Sequence, residues 1–260
     1  MKKLIGKTDI VFLTLDTLRF DAAQQAWRDG RLKTLGRYLG ASGWEKRHTP
    51  GSFTYAAHHA FLSGFLPTPV GPGPHPRLFA AEFGGSVSTV ESTFAFAEAN
   101  LPCALAARGY HTICIGGTGF FNKQNELARV LPGLFAESHW SPALGVACRD
   151  SVQNQVAQAM ESVNQAGQSR VFLFINVSAI HQPNWFYGAT EGPDTLATHT
   201  AALVAVDAAL GPLFDRLKQR APTFVIACSD HGHAYGEDGY FGHRLGHEVV
   251  WTVPYAEFML

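Results

Sequence analysis

Short apolar runs alternate with helical patterns along this chain, and that alternation limits the fold more than any other feature. The runs are five to seven residues long and rich in β-branched and aromatic side chains, which is typical of strands buried on both faces. They are Asp9–Leu15, His111–Ile115, Val171–Val177 and Thr223–Cys228. Helical patterns occupy Glu98–Arg108, Ser151–Gln165 and Thr195–Gln219. Strands and helices in alternation predict an α/β fold with a mainly parallel, doubly wound sheet between two helical layers.

Composition narrows the class of protein. The chain has 260 residues, of which 46% are hydrophobic and 16% charged, so it can bury a large core and is not disordered. Residues 1–260 are therefore expected to form a single domain. A net charge of -1 argues against nucleic-acid binding, because proteins that bind nucleic acid usually carry an excess of basic residues. The low charge fraction is compatible with a homo-oligomer.

No targeting or membrane-spanning segment is expected. The apolar run near the start, Ile10–Leu15, is shorter than a secretory core, and no apolar stretch reaches the length of a span. The four cysteines lack the CxxC spacing, and Cys114 and Cys228 lie inside apolar runs, which is typical of buried free thiols. These features predict a reduced, cytoplasmic protein without a membrane partner.

Four polar residues follow the predicted strands directly. They are Asp16, His181, Asp230 and His231. Ligands of open parallel sheets bind beyond the carboxyl ends of the strands, so these side chains are expected to converge. A carboxylate beside an Asp-His pair is a common ligand set for Zn²⁺ or Mn²⁺. The alternative is that the aspartates cap helices and the histidine is a satisfied core residue.

A second informative segment leads from Thr54 to Gly64. The stretch TYAAHHAFLSG has helical character, which puts Thr54 at or near a helix N-terminus, where the helix dipole favours an anion. An adjacent metal ion would lower the pKa of the hydroxyl further and make it a nucleophile. His58 lies one turn along, on the same face. The alternative is that Thr54 is an ordinary N-cap.

The remaining candidates lie in loops. His181 precedes Pro183 and is a candidate acid-base group or ligand. Three histidines in the glycine-rich stretch Gly232–Gly246 and just beyond it, namely His233, His243 and His247, fit a ligand role equally well by spacing. The glycines of Gly116–Phe121 (GGTGFF) do not match a dinucleotide motif and are expected to let the backbone approach the site. The proline-rich stretch Pro67–Pro76 is predicted to be a loop.

Together these segments resemble the alkaline phosphatase/sulfatase superfamily, within it the sulfatase and phosphonate monoester hydrolase branch. The resemblance covers nearly the whole chain in order. Its segments are LDTLRFD around Asp16, the stretch from Thr54 to Pro67, ARGYHTICIGG, HQP at His181, SDHG at Asp230, and Glu248 with Pro254. The resemblance implies an alkaline phosphatase-like α/β/α sandwich, here without the usual C-terminal subdomain.

The resemblance also implies roles for residues. Asp16, Thr54, Asp230 and His231 would hold a divalent ion, Zn or Mn, with Thr54 also the nucleophile. His181 and His243 would protonate the leaving group or hold a second ion. His58 and Gly117 would contact a small anionic ester substrate.

This sequence departs from the sulfatase pattern at several positions. Thr54 stands where sulfatases mature a Cys or Ser to formylglycine, and Ala56 and His58 replace the Pro and Arg used in that maturation. Formylglycine chemistry is therefore not expected, and a Thr nucleophile instead resembles the nucleotide pyrophosphatase/phosphodiesterase and phosphoglycerate mutase branches. Gly117 and Gly119 replace a Lys and a His that contact substrate.

Three functions are compatible with these residues. The first is a metal-dependent hydrolase of phosphate, phosphonate or sulfate esters. The second is a transferase that moves the same group from Thr54 to an alcohol. The third is a degenerate, non-catalytic protein that binds metal and serves as a partner.

Overall fold

The computed structural model describes residues 3–64, 100–188 and 191–260, together with the backbone of 79–80 and 94–95. The strands are β1 (Asp9–Leu15), β2 (Glu45–His48), β3 (Phe79–Ala80), β4 (Phe94–Ala95), β5 (Tyr110–Ile115), β6 (Glu137–His139), β7 (Arg170–Val177), β8 (Thr223–Cys228), β9 (Ala234–Tyr235), β10 (Phe241–Gly242) and β11 (Thr252–Met259). The helices are α1 (Phe20–Arg28), α2 (Thr54–Ser63), α3 (Leu101–Ala106), α4 (Glu126–Val130), α5 (Ser151–Gln165), α6 (Leu196–Arg220) and α7 (Glu248–Trp251).

A seven-stranded sheet of order β2-β11-β8-β1-β7-β5-β6 forms the centre of the described fold. The five strands from β8 to β6 are parallel, and β11 runs antiparallel between β8 and β2. The predicted mainly parallel sheet is confirmed. The four predicted strands appear as β1, β5, β7 and β8, with bounds that differ by at most one residue.

Side chains of β1 alternate between two cores, which confirms the three layers. Val11, Leu13 and Leu15 pack into the core that includes buried residues of α5 and α6. Ile10 and Phe12 point to the other face and share a core with Tyr55 and Leu62 of α2. Both cores lie against the same strand because successive strand residues face opposite sides of a sheet.

The three predicted helices are confirmed, and one of them is shorter than predicted. The helix expected over Glu98–Arg108 spans Leu101–Ala106, because the Asn100 side chain caps its first turn by accepting a hydrogen bond from the Cys103 amide. Thr195 likewise caps α6, so that helix begins one residue later than expected. The prediction of a loop over Pro67–Pro76 lies outside the described residues.

The stretch Gly232–Gly246 is not a plain loop. Strands β9 and β10 pair antiparallel within it, and Gly236, Gly239 and Gly242 have positive φ, which explains its glycine content. The antiparallel strands β2 and β11 were not predicted. All four β2 side chains are exposed, and β11 carries Pro254, so neither shows a continuous apolar run.

By length and composition, α6 is apolar enough to cross a membrane, contrary to the expectation that no stretch reaches that length. One such helix is weak evidence for a span, because core helices pass the same test. Here α6 packs against α1 and α5 and buries Leu203, Leu210 and Phe214. Among the cysteines, Cys114 and Cys228 are buried and free, as predicted.

Candidate active site at the carboxyl ends of the central strands

Two neighbouring strands bring three candidate metal ligands together. Asp16 follows β1, and Asp230 and His231 follow β8, which pairs with β1. One ligand atom from each of the three lies within 4.8 Å of the others, and all three side chains are fully buried. The convergence expected from the strand ends is therefore present.

The electrostatics of this cluster fit a cation. Asp16 Oδ1 and Asp230 Oδ2 are buried and accept no hydrogen bond. Burial, followed by the charge of Asp230, raises the pKa of Asp16 to about 6, and burial raises the pKa of Asp230 to about 7. Two buried carboxylates without a counter-charge are costly, and a divalent ion between them would remove that cost. The donor set therefore fits Zn²⁺ or Mn²⁺.

Backbone and amide groups orient the three ligands. Thr17 N–H and His231 N–H both donate to Asp230 Oδ1, over 3.1 and 3.0 Å. His231 Nδ1 lies 2.9 Å from the Gly232 carbonyl, so Nδ1–H donates there and Nε2 faces the carboxylates with its lone pair. A side chain on Gly232 would collide with the Val249 carbonyl, so only glycine allows this turn.

Thr54 is the first residue of α2, as predicted, and it is not the cap. Phe53 occupies the N-cap position without a side-chain hydrogen bond. The Thr54 hydroxyl is instead turned to the ligand cluster, 3.5 Å from Asp16 Oδ2 and 3.4 Å from His231 Nε2. The arrangement can therefore present a hydroxyl to an ion and to an anion at a helix N-terminus.

His58 lies beneath Thr54 and not on an open surface. Its Nδ1–H donates to the Thr54 carbonyl over 2.7 Å, and its Nε2 accepts from the Thr14 hydroxyl over 2.8 Å. The ring is fully buried and contacts Phe121 and Phe174 edge-on, and burial lowers its pKa to about 3. His58 is neutral and enclosed, and it supports Thr54 from below. The geometry therefore does not support the predicted contact between His58 and substrate.

A cavity of about 380 Å³ opens beside Thr54. His181, His243 and Arg244 line it together with Thr54, and Phe120, Leu127 and Val146 supply apolar wall. The His243 ring lies 4.6 Å from that of His231 and 5.7 Å from that of His181, centroid to centroid. Burial and the neighbouring histidines lower the pKa of His243 to about 3. Both predicted histidines therefore line the same cavity as Thr54.

The other loop histidines lie further out. His233 Nδ1 is 3.4 Å from His243 Nδ1, so His233 touches the cluster from its outer side. His247 bonds to Asp238 and caps α7, so it does not join the site. The predicted substrate contact Gly117 packs against β7, where a Cβ would come within 2.4 Å of the Asn176 carbonyl.

Sequence reasoning missed Asn176, Tyr235 and Arg244. Asn176 Nδ2–H donates to Asp16 Oδ2 over 2.8 Å, and its only sequence signal is a polar residue within an otherwise apolar strand. The Tyr235 hydroxyl lies within hydrogen-bond distance of Gln182, Asn184 and His199. It thereby joins the loop of His181 to that of His243.

The family model and the structural neighbours support an alkaline phosphatase/sulfatase-like protein. The chain belongs to the Sulfatase family, whose model matches residues 8–255. No curated protein matches the chain with significance.

Solved structures show the same fold at low sequence identity. The C-terminal periplasmic domain of the phosphoethanolamine transferase EptC from Campylobacter jejuni matches with a TM-score of 0.66 and 14% identity, covering 97% of this chain and 79% of that one. The PsFucS1 sulfatase from Pseudoalteromonas sp. matches with a TM-score of 0.60 and 17% identity, over 99% and 63%. The EptC domain from Escherichia coli, in complex with Zn, matches with a TM-score of 0.65 and 12% identity, over 97% and 73%.

The family and these neighbours associate the fold with phosphate- and sulfate-ester chemistry. The match to the integral membrane protein lipooligosaccharide phosphoethanolamine transferase A (EptA) from Neisseria meningitidis covers 48% of that chain. Several neighbours are periplasmic domains, so the comparisons lend no support to a cytoplasmic location, which stays a prediction. The expectations of a single domain without a C-terminal subdomain and of a homo-oligomer likewise stay predictions.

Proposed function

We propose that this protein is a metal-dependent hydrolase of phosphate, phosphonate or sulfate esters with Thr54 as nucleophile. The observation that carries the proposal is the Thr54 hydroxyl, which lies within 3.5 Å of Asp16 and His231 and also lines the cavity. A protein that bound metal for stability alone would have no need of a hydroxyl between its ligands and an open cavity.

Asp16, Asp230 and His231 would hold the ion. When bound, it would supply Lewis-acid stabilisation of the negative charge that develops during transfer. The Asp16 and Asp230 oxygens that lack hydrogen bonds would become ligands, and Asn176 and the Thr17 amide would keep both carboxylates oriented. Zinc is favoured by the mixed carboxylate and imidazole donors, with manganese as the other candidate.

The reaction would proceed by two displacements. Thr54 gives its hydroxyl proton to water in the cavity, and its Oγ1 forms a bond to phosphorus or sulfur as the bond to the leaving-group oxygen breaks. The leaving oxygen takes up a proton from a histidine of the cavity wall. Water then attacks the same centre and gives a proton to that histidine, the bond to Oγ1 breaks, and Oγ1 takes up a proton from solvent water.

His181 is the better candidate for the proton donor. His243 is held neutral by its burial and by the adjacent histidines, so it would carry no proton to supply near neutral pH. His181 Nδ1 lies 2.6 Å from the Gln182 carbonyl, which directs Nε2 away from that loop, and the residue lines the cavity beside Thr54. Its charge when protonated would also favour ionised Asp16 and Asp230.

Substitution of Thr54 tests the proposal. Thr54→Ala should abolish turnover of aryl phosphate, phosphonate and sulfate esters while retaining most of the bound metal, because the other three ligands remain. Thr200→Ala is a matched control, since its hydroxyl bonds only within α6, to the Leu196 carbonyl. Full activity of Thr54→Ala would overturn the assignment of the nucleophile.

Transfer to an alcohol is a second candidate, favoured by the phosphoethanolamine transferases among the structural neighbours. The first displacement would be the same, and an alcohol would replace water in the second. Mass spectrometry of the products formed with glycerol present separates the two. A glyceryl ester as the main product would identify a transferase, and free phosphate or sulfate a hydrolase.

A further inference from the structure

Arg244 is a cation of the cavity wall that the sequence motifs do not explain. It lines the same cavity as Thr54, His181 and His243. Its guanidinium lies over the Phe53 ring, 5.2 Å from the ring centroid. Among the described residues it makes no ion pair and no side-chain hydrogen bond, so its donors are available to a ligand.

The backbone of Arg244 is held in an unusual conformation. Its φ is 69°, in the left-handed region that non-glycine residues seldom adopt. Its N–H donates to the Ser52 carbonyl over 2.8 Å, two residues before Thr54. Residues kept in such conformations cluster at functional sites, where the surrounding structure over-determines them. Backbone and ring contacts thus tie Arg244 to the segment that presents the nucleophile.

Arg244 supplies a positive charge to the wall of the cavity. Arg244 is the one arginine or lysine among the described residues that line the cavity, and the turn through Gly117 and Gly119 brings no cationic side chain. Arg47 pairs with Glu45 and Arg129 with Glu126, whereas Arg244 has no carboxylate partner among the described residues. An unpaired arginine beside a nucleophile is suited to an anion, because its planar donors match two oxygens at once.

We propose that Arg244 binds the non-bridging oxygens of the phosphoryl or sulfuryl group that Thr54 attacks. The inference rests on the proposed function, since it takes the cavity to be the ester site. In this proposal Arg244 supplies the positive charge that the side-chain-free positions Gly117 and Gly119 cannot supply. Because the contact is bidentate, lysine should replace it only in part.

Binding of inorganic phosphate to zinc-loaded protein, measured by isothermal titration calorimetry, tests the proposal without turnover. Arg244→Gln should raise the Kd for phosphate about tenfold, as expected for loss of a charge-assisted hydrogen-bonding pair. Arg244→Lys should fall between Arg244→Gln and the wild type. Arg47→Gln is a matched control, because Arg47 also lies over an aromatic ring, that of Tyr255, and should leave the Kd within about twofold.

Unchanged phosphate affinity in Arg244→Gln, or no phosphate binding by the wild type, would overturn the role of Arg244. The activity of Thr54→Ala tests the assignment of the nucleophile separately. If Thr54→Ala keeps full activity while Arg244→Gln loses affinity, the proposed function fails and the anion contact stands. Thermal unfolding of each variant verifies the fold, which an exposed side chain such as Arg244 should not disturb.

Discussion

Asn176 Nδ2–H donates to Asp16 Oδ2 over 2.8 Å, linking the end of β7 to the candidate metal ligand at the end of β1. The same amide accepts, through Oδ1, hydrogen bonds from the backbone N–H groups of Gly117 and Thr118. One buried side chain therefore fixes both a carboxylate and the glycine turn beside the cavity. The carboxylate keeps its other oxygen, Oδ1, free for an ion.

Removing this amide should weaken metal binding without removing a ligand. Asn176→Leu keeps a similar volume but leaves Asp16 less well oriented, and loss of such supporting contacts typically costs about 10–100-fold in affinity. Competition with a chromogenic zinc chelator would measure the change. Zinc affinity equal to that of the wild type would show that Asn176 does not orient Asp16.

Stabilisation by metal should depend on pH. In the metal-free protein the pKa of Asp16 is raised to about 6 and that of Asp230 to about 7, chiefly by burial. The native state therefore holds protons that the unfolded chain has released, so these two groups lower stability as pH rises from about 4 to 7. Zinc replaces those protons, so the increase in Tm on zinc binding should be larger at pH 8 than at pH 5.

Differential scanning calorimetry of zinc-loaded and chelated protein at the two pH values would measure this difference. Asp230→Asn is the control, because it removes one of the two titrating carboxylates and a ligand, and it should show little zinc-dependent shift at either pH. An equal shift for the wild type at both pH values would contradict the ligand assignment.

Tyr235 should position the loops that carry His181 and His243. Its hydroxyl lies 2.6 Å from Gln182 Nε2, and the Gln182 carbonyl in turn lies 2.6 Å from His181 Nδ1. Tyr235→Phe should therefore lower kcat about 5–20-fold with little change in KM, because misplaced acid-base groups affect the chemical step. Steady-state kinetics on an aryl ester would measure both constants.

Tyr110→Phe is the matched control for Tyr235→Phe. The Tyr110 hydroxyl accepts a hydrogen bond from the Gly6 N–H and donates one to the Thr8 carbonyl, at the opposite end of the sheet from the site. It should lower the free energy of unfolding by about 1 kcal/mol and leave kcat unchanged. Equal losses of kcat in both variants would show a general effect of lost stability.

Glu137 should stabilise the edge of the sheet against acid. Burial acts to raise its pKa, but hydrogen bonds from Ser162, His111 and His139 outweigh it and lower the pKa to about 2. A carboxylate with a lowered folded pKa contributes stability above the unfolded value near 4.5, and loses it as pH falls toward 2. Glu137→Gln should therefore cost about 1–2 kcal/mol at pH 7 and less at pH 3.

Urea unfolding at the two pH values would measure the Glu137 contribution. Glu126→Gln is its control, since Glu126 pairs with Arg129 at an exposed position, and such pairs contribute about 0–1 kcal/mol. A Glu137→Gln cost that does not shrink at pH 3 would contradict the charge-based explanation.

The central strands could be predicted because they are buried on both faces and leave an unbroken apolar signal. Because the ends of β1 and β8 could be predicted, Asp16, Asp230 and His231 could be placed as well. Parallel strands bring their carboxyl ends to the same edge of the sheet. Thr54 could be placed by the helical pattern after it. Nothing local distinguishes β2, whose side chains are all exposed.

The supporting residues could not be predicted, because their roles depend on contacts between distant segments. Asn176 and Asp16 are 160 positions apart, and Arg244 reaches Ser52 through a left-handed backbone that no sequence pattern indicates. His58 shares the face of Thr54, as helical spacing requires, but it is fully buried against the rings of Phe121 and Phe174. Burial, not periodicity, decides between a supporting and a substrate-binding histidine.

The metal content of the purified protein tests the central claim most directly. Elemental mass spectrometry of protein prepared without chelators should find about one zinc or manganese ion per chain, as for a site with three protein ligands and Thr54. Asp230→Asn should lose the ion, and Glu137→Gln, whose carboxylate lies outside the site, should keep it. No ion in the wild type after reloading with zinc or manganese, or full occupancy in Asp230→Asn, would contradict a metal-dependent enzyme built on Asp16, Asp230 and His231.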